Sequence, residues 1–266
     1  MIRFNAVPRL LAAALGLAAA LPVVVLPLAA AAQEEPLRLE GLTDAGRAQL
    51  HGEIRAYLLE NPEIILEVIQ ILEDRREQAA QSADADLIAA NAEALFADPN
   101  SYVAGNPDGD VTIVEFLDYR CGFCKRVHPT VKQVLEADPN VRLVVKEFPI
   151  LGPDSVTAGK MALAAFQIDP DKYGELNDAL LSHPGNLTEV TAYRIAKDIG
   201  YDVGELKALA ASDKIDTVLQ ANFALAQALN LSGTPSFVIG DQVVRGLMQF
   251  EEMMATVEAA RETAAN

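Results

Sequence analysis

The chain has 266 residues, a formal net charge of −17 and two cysteines, Cys121 and Cys124. So acidic a surface repels phosphate backbones, which argues against nucleic acid as a partner. Both cysteines lie in one C-x-x-C, so no separate structural disulfide can be built, and the length allows one full domain plus an extension.

The N-terminus reads as a targeting segment. Arg3 and Arg9 precede an apolar run, Leu10 to Leu28, and the small residues Ala29 to Ala32 follow. That order is the signature of a secretory signal peptide, residues 1–32, cut after Ala32. An uncleaved membrane anchor is the alternative, and Pro22 and Pro27 interrupt a helix at its far end. Removing 32 of 266 residues leaves 234, and the loss of two arginines takes the charge from −17 to −19. No cysteine adjoins the cut, which speaks against a lipid anchor. The expected compartment is oxidising, and there a single closely spaced cysteine pair reads as a working disulfide.

Residues 33–98 carry no strand pattern. Leu50, Ile54, Tyr57 and Leu58 recur at helical spacing, and Asn61-Pro62 restarts a helix. In that second helix Ile64, Val68 and Ile71 form one stripe and Ile65, Ile69 and Leu72 a neighbouring one, before the pattern turns polar from Glu73. Two adjacent stripes suit a multi-helix assembly; a helical pair packed on its own domain is the plainer reading.

From Pro99 the pattern changes. Tyr102-Val103 suggests a short strand, Val111 to Leu117 a buried strand, and the C-x-x-C opens a helix running to about Glu136. A further strand covers Val141 to Phe148, which makes a parallel strand–helix–strand unit. Residues from about 155 to 229 read as helical throughout, with Asp169-Pro170 opening one helix, His183-Pro184-Gly185 closing it, and Asp202 with Glu205 forming a cap. Ser236 to Ile239 and Val243-Val244 flank Gly240-Asp241 as a hairpin, and a helix from Phe250 to about Ala260 ends the pattern.

A strand-to-helix junction favours redox over metal chemistry for the C-x-x-C, because a helix start stabilises a thiolate and closing a zinc site needs more ligands. Cys121 falls at the helix start and is the expected exposed nucleophile; Cys124, inside the first turn, is the resolving thiol. Lys125 and Arg126 are placed to add positive potential. A thiolate pushed to the low end for such motifs would be stabilised by roughly 7 kcal/mol. His51, His128 and His183 are scattered without ligand spacing and read as surface residues, so no metal site is expected; copper(I) on the two thiolates remains chemically open.

The C-x-x-C after a strand, Gly233-Thr234-Pro235 before a strand, and the helical stretch between them resemble the thioredoxin superfamily, in its DsbA-like branch of periplasmic thiol–disulfide oxidoreductases. The run Ile54-Arg55-Ala56-Tyr57-Leu58-Leu59-Glu60-Asn61-Pro62 is similar to the stalk of ScsC-type (suppressor of copper sensitivity) proteins, which are exported and trimer-forming. The resemblance implies an α/β, thioredoxin-like fold with a helical insertion at about 155–229 within residues 99–266, preceded by an all-helical oligomerisation segment. It implies a cis Thr234-Pro235 bond that leaves adjacent backbone free for substrate, and a kinked active-site helix at Pro129. It also implies a buried carboxylate, Glu115, that takes the proton of Cys124; a solvated residue or a partner of Lys146 is the alternative for Glu115.

The function so implied is disulfide exchange in cysteine-containing exported proteins, without a cofactor, served by a membrane thiol–disulfide partner and by homo-oligomerisation. Gly122-Phe123 resembles the Gly-Tyr pair of periplasmic disulfide isomerases more than the Pro-His of the strongest oxidase, as does the threonine before Pro235. A monomeric DsbA-type oxidase and a copper-binding or chaperone scaffold are the rival readings.

Overall fold

The computed structural model describes Gly41 and residues 43–264, so the expected signal peptide and its cleavage point lie outside the described residues. No helix among them is long and apolar enough to cross a membrane. The chain divides after Pro62 into two compact units. In the first, α1 (Asp44–Glu60) begins at Thr43, whose Oγ1 accepts from the Gly46 N–H at 3.2 Å. It ends at Asn61, whose Nδ2 donates to the Tyr57 carbonyl at 2.8 Å. Nothing in α1 is buried, and Ile54, Tyr57 and Leu59 are exposed.

The second unit holds a five-stranded sheet in the order β1-β3-β2-β4-β5. Its strands are β1 (Tyr102–Gly105), β2 (Val111–Leu117), β3 (Val141–Glu147), β4 (Ser236–Ile239) and β5 (Gln242–Arg245). Only β2 and β3 run parallel, joined through α4 (Gly122–Ala137); the other neighbours are antiparallel. Five helices fill the stretch between β3 and β4: α5 (Pro153–Ile168), α6 (Pro170–Ser182), α7 (Glu189–Ile199), α8 (Val203–Ala210) and α9 (Asp213–Ala228). The Asp202 cap forms as read, with the Glu205 N–H donating to Oδ1 at 2.8 Å. Gly240 supplies the positive φ of the β4–β5 turn, and α10 (Phe250–Ala264) crosses close enough that a Cβ there would meet Ala260 at 2.6 Å.

Strand alternation sorts the sheet into two apolar layers. Val111, Ile113 and Leu117 of β2, with Leu143 and Val145 of β3, pack with residues of α4, α5, α6 and α10. Val114, Phe116 and Val144 face the other way, onto Ile88 of α2 (Glu63–Ala90), Leu95 of α3 (Ala92–Phe96) and Leu225 and Ala226 of α9. The polar stretch from Glu73 stays helical: α2 runs on to Ala90 and buries Ile88. The compact unit that contains the sheet starts at Glu63, and α3 and the end of α2 cover one sheet face. Arg245 on β5 also bonds both carboxylate oxygens of Asp84 on α2, at 3.0 and 3.1 Å.

On that second face Lys146, 1% exposed, donates to Asp98 at 2.7 Å. Burial lowers the lysine pKa against the pull of Asp98. Removing the partner alone would strand a buried ammonium. Asp98→Ala is expected to cost about 3 kcal/mol in urea unfolding, and Asp98→Ala with Lys146→Met to recover most of it. Equal losses in the single and double variants would contradict the pairing.

Candidate active site

The turn into α4 is built by Asp118. Its Oδ1 accepts from the Arg120 N–H at 2.8 Å, and its Oδ2 from the N–H groups of Ile150 and Leu151, both at 3.0 Å. The Cys121 N–H donates to the Asp118 carbonyl at 2.9 Å. One buried carboxylate thus ties the cysteine turn to the loop after β3. Sequence reading missed it, although an aspartate whose oxygen accepts from the N–H two residues on is a recognisable turn signal.

Cys121 is the N-cap residue of α4, where unpaired helix N–H groups favour an anion. Both cysteines are free thiols. The Cys121 pKa falls from the ordinary 9.0 to about 5. The hydrogen bond from the Cys124 thiol contributes most; burial opposes it, and the Thr234 hydroxyl and the N–H groups of Cys124 and Phe123 add to the lowering. Cys124 moves the other way, held far above 9 by the same bond to Cys121, by burial and by the charge of Glu115. The two thiols are therefore driven apart into one nucleophile and one proton holder. A drop to about 5 corresponds to roughly 5 kcal/mol, somewhat short of the low-end figure. With the folded value depressed, that stabilisation of the reduced chain is complete above pH 9 and is lost as the pH falls through about 5.

Cys121 is the more exposed member of the pair, though buried in absolute terms: 5% exposed against 0% for Cys124. Its sulfur lies beneath the loop before β4, donating as a thiol to the Thr234 carbonyl at 3.1 Å. The Thr234-Pro235 bond is cis. The Thr234 hydroxyl is buried without a hydrogen-bond partner. The Pro235 carbonyl is taken by the Gly246 N–H at 2.9 Å, and a concavity of about 150 Å³ lined by Ser232, Thr234, Pro235 and Arg245 adjoins it. Phe123, more than half exposed, stands at the rim with the Arg126 guanidinium 4.3 Å from its ring centre.

Glu115 is buried on the face that carries the cysteines, and burial raises its pKa to about 8. Its Oε1 has no partner. The alternative partner, Lys146, sits opposite Phe116 in the register, hence on the other sheet face, and bonds Asp98 instead. Other sequence readings also need correction. Lys125 donates to the carbonyls of His183 and Gly185, at 2.7 and 2.9 Å, and so pins a loop of the helical insertion. Arg126 is committed to Phe123. His128 is a buried residue of α4 rather than a surface one, bonded to Asp178 at 2.8 Å, and Pro129 follows it inside the helix as expected. His51 is exposed and His183 half-buried. Among the described residues no cluster of three or more His, Cys, Asp or Glu could hold a metal. A cavity of about 460 Å³ lies on the other sheet face, lined by Asp98, Lys146 and Asn222, away from the cysteines.

This arrangement has known counterparts. A family model described as thioredoxin matches residues 97–259, and one described as the copper resistance protein ScsC N-terminal domain matches residues 47–79. A thioredoxin-like oxidoreductase from Silicibacter pomeroyi DSS-3 is 42% identical, with a TM-score of 0.61 over 64% of this chain and 97% of its own. Proteus mirabilis ScsC in a transitional conformation is 27% identical, with a TM-score of 0.61 over 84% and 98%. Disulfide bond formation protein D of Bacillus subtilis is 22% identical over 59% of this chain and 75% of its own length. The chain spans only 25% of the Na(+)/H(+) antiporter NhaA 1 of Salinispora arenicola, to which it is 27% identical over 61% of its own residues. A thiolate-forming C-x-x-C under a cis-proline loop and a model match over most of the sheet unit give one conclusion: the chain belongs to the thioredoxin family and carries an N-terminal segment of the ScsC type.

Proposed function

We propose that the protein is an exported thiol–disulfide oxidoreductase that acts on cysteine-containing client proteins through a Cys121 mixed disulfide, leaning toward isomerisation or reduction. The supporting observation is the split between the two thiols, Cys121 lowered to about 5 and Cys124 raised. The Cys121 thiolate attacks one sulfur of a client disulfide, and the other client sulfur leaves as a thiolate. Cys124 then gives its proton to Glu115 and attacks Cys121 Sγ. The bond to the client breaks, the Cys121–Cys124 disulfide forms, and two electrons have passed to the client. Run backwards, the same steps oxidise a client. When a second client thiolate attacks the mixed disulfide first, the client is isomerised with no net electron transfer.

The cis Thr234-Pro235 loop above the sulfur is suited to hold an extended client segment by backbone pairing. A membrane thiol–disulfide partner in the periplasm would reset the cysteines. A copper-binding scaffold is the second reading, favoured by the description of the matching N-terminal model. In an insulin-reduction assay the wild-type chain is expected to turn over and Cys121→Ala to lose at least a hundredfold. Full activity in Cys121→Ala, or one copper(I) bound per chain with no disulfide exchange, would overturn the enzyme reading.

Homo-oligomerisation, as a trimer, belongs to the same reading. Ile65, Leu66, Val68, Ile69, Ile71 and Leu72 on α2 are each between 42% and 69% exposed. Such a surface is costly in water unless covered, and joining several C-x-x-C sites raises the effective concentration for one client. A chain with Ile65, Ile69 and Leu72 each changed to Glu is expected to fall to monomer mass in light scattering. It should keep insulin reduction and lose the refolding of scrambled ribonuclease. An unchanged mass would refute the assembly face.

A further inference from the structure

Arg245 ends β5 and joins two parts of the molecule that the exchange chemistry does not connect. Its guanidinium donates to both carboxylate oxygens of Asp84 on α2, at 3.0 and 3.1 Å, and from Nη2 to the Leu229 carbonyl at 3.3 Å. Leu229 is the C-cap of α9, where a helix leaves its last carbonyls without partners in its own ladder. Asn230 follows with a φ of 54°, and the Leu231 N–H turns back to the Ala226 carbonyl at 2.8 Å. That closure does not use the Leu229 oxygen. The guanidinium takes it instead.

Leu229 begins the loop that carries Thr234 and Pro235 over the nucleophile, and the far end of that loop is held from the same place. Arg245 stands opposite Ser236 in the β4–β5 register, and the next N–H, that of Gly246, donates to the Pro235 carbonyl at 2.9 Å. Between these two grips the Ser236 hydroxyl donates to the Gly233 carbonyl at 2.8 Å, and the Cys121 thiol to the Thr234 carbonyl at 3.1 Å. Arg245 also lines the concavity beside Thr234 and Pro235. Asp84, its outer partner, has a side chain only 14% exposed. One unbroken helix, α2, runs from the exposed apolar face at Ile65 to Leu72 as far as this aspartate and beyond.

We propose that Arg245 is a positioning residue for client binding, and that through Asp84 the assembly helix α2 becomes part of the client-binding site. This rests on the reading of the Thr234-Pro235 loop as the place where an extended client pairs, and of α2 as the helix of assembly. A backbone-pairing site binds well when its own segment is already held still, because ordering it during binding costs affinity. Arginine suits the task. Its planar fork grips a carboxylate along one edge and still has an N–H for a carbonyl, which a lysine ammonium cannot match in fixed directions. The two bonds to Asp84 set the plane of the fork and so aim the remaining N–H at Leu229. Losing Asp84 frees the fork to turn, and the start of the loop with it.

The test is insulin reduction by the full-length chain over a range of insulin concentrations. Arg245→Ala is expected to raise KM about fivefold with kcat changed by less than about twofold, since it loosens the binding loop and touches no reacting atom. Arg245→Lys, which keeps the charge without the fork, should regain only part of the loss. Asp84→Ala should raise KM by less, and Asp84→Ala with Arg245→Ala should be no worse than Arg245→Ala alone, because both act through one guanidinium. The rate of Cys121 with dithiobis-nitrobenzoate, a small disulfide that needs no backbone pairing, reports on the sulfur itself and should change much less than KM. If the wild-type chain does not reduce insulin, the enzyme reading falls and this inference with it. If it turns over and Arg245→Ala leaves KM unchanged, the role of Arg245 is overturned; Asp84→Ala decides in the same way should Arg245→Ala not fold. A KM rise matched by an equal loss with the small disulfide would mean general damage to the site and would also overturn it. A raised KM in Arg245→Ala beside a wild-type KM in Asp84→Ala removes α2 alone from the client-binding site.

Discussion

The coupling between two neighbouring thiols at the first turn of α4 is the interaction on which the chemistry of the site depends. It separates otherwise identical side chains into an anion and a proton holder, and it is the largest contribution to lowering the Cys121 pKa. The two thiols sit together because Cys121 caps α4, which starts at Gly122, and Asp118 ties the turn before it. That carboxylate bridges the turn and the loop after β3 with three backbone N–H donors. The cis Thr234-Pro235 loop closes the site from above. Strand order, the Asp118 bridge and the proline loop all converge on one sulfur atom.

Much of this was legible in the chain, for physical reasons that can be named. An apolar run followed by C-x-x-C and an amphipathic stretch can hardly fold otherwise than strand, turn and helix. Gly240-Asp241 between two apolar segments fixes a hairpin, and the Asp202 cap appears where its spacing requires. What escaped depends on which face a side chain takes. Lys146 and Glu115 are plausible partners on adjacent strands until the register sets them on opposite faces. Lys125 reads as a charge near the nucleophile, yet its long stem carries the ammonium to the carbonyls of His183 and Gly185. His128 reads as surface until α6 brings Asp178 to it. Glu147, at a strand end beside a lysine, carries no local sign of burial; only the arrival of Tyr173 and Asn177 from a helix far along the chain makes it a network centre.

The buried acids cost the fold something. An unfolded Glu ionises near 4.5, whereas Glu115 and Glu147 hold their protons to about 8. Between those values the native chain binds more protons than the unfolded one, so each acid takes stability away as the pH rises. Two such groups on one face, next to the resolving cysteine, are hard to explain by packing alone, since leucine would fill the space at no such cost. For Glu115 the proposed proton transfer from Cys124 is a reason. The exposed apolar residues of α2 raise a similar point on the outside of the unit, where shared assembly would offset their contact with water.

The ionisation of Cys121 is the central claim, and absorbance of the thiolate near 240 nm measures it directly in the reduced chain. Titration is expected to give one step with a midpoint at about 5, and a Cys121→Ser chain should show no step below pH 8. A wild-type midpoint near the ordinary 9.0 would mean that the helix start and the second thiol do not stabilise the anion, and would contradict the account.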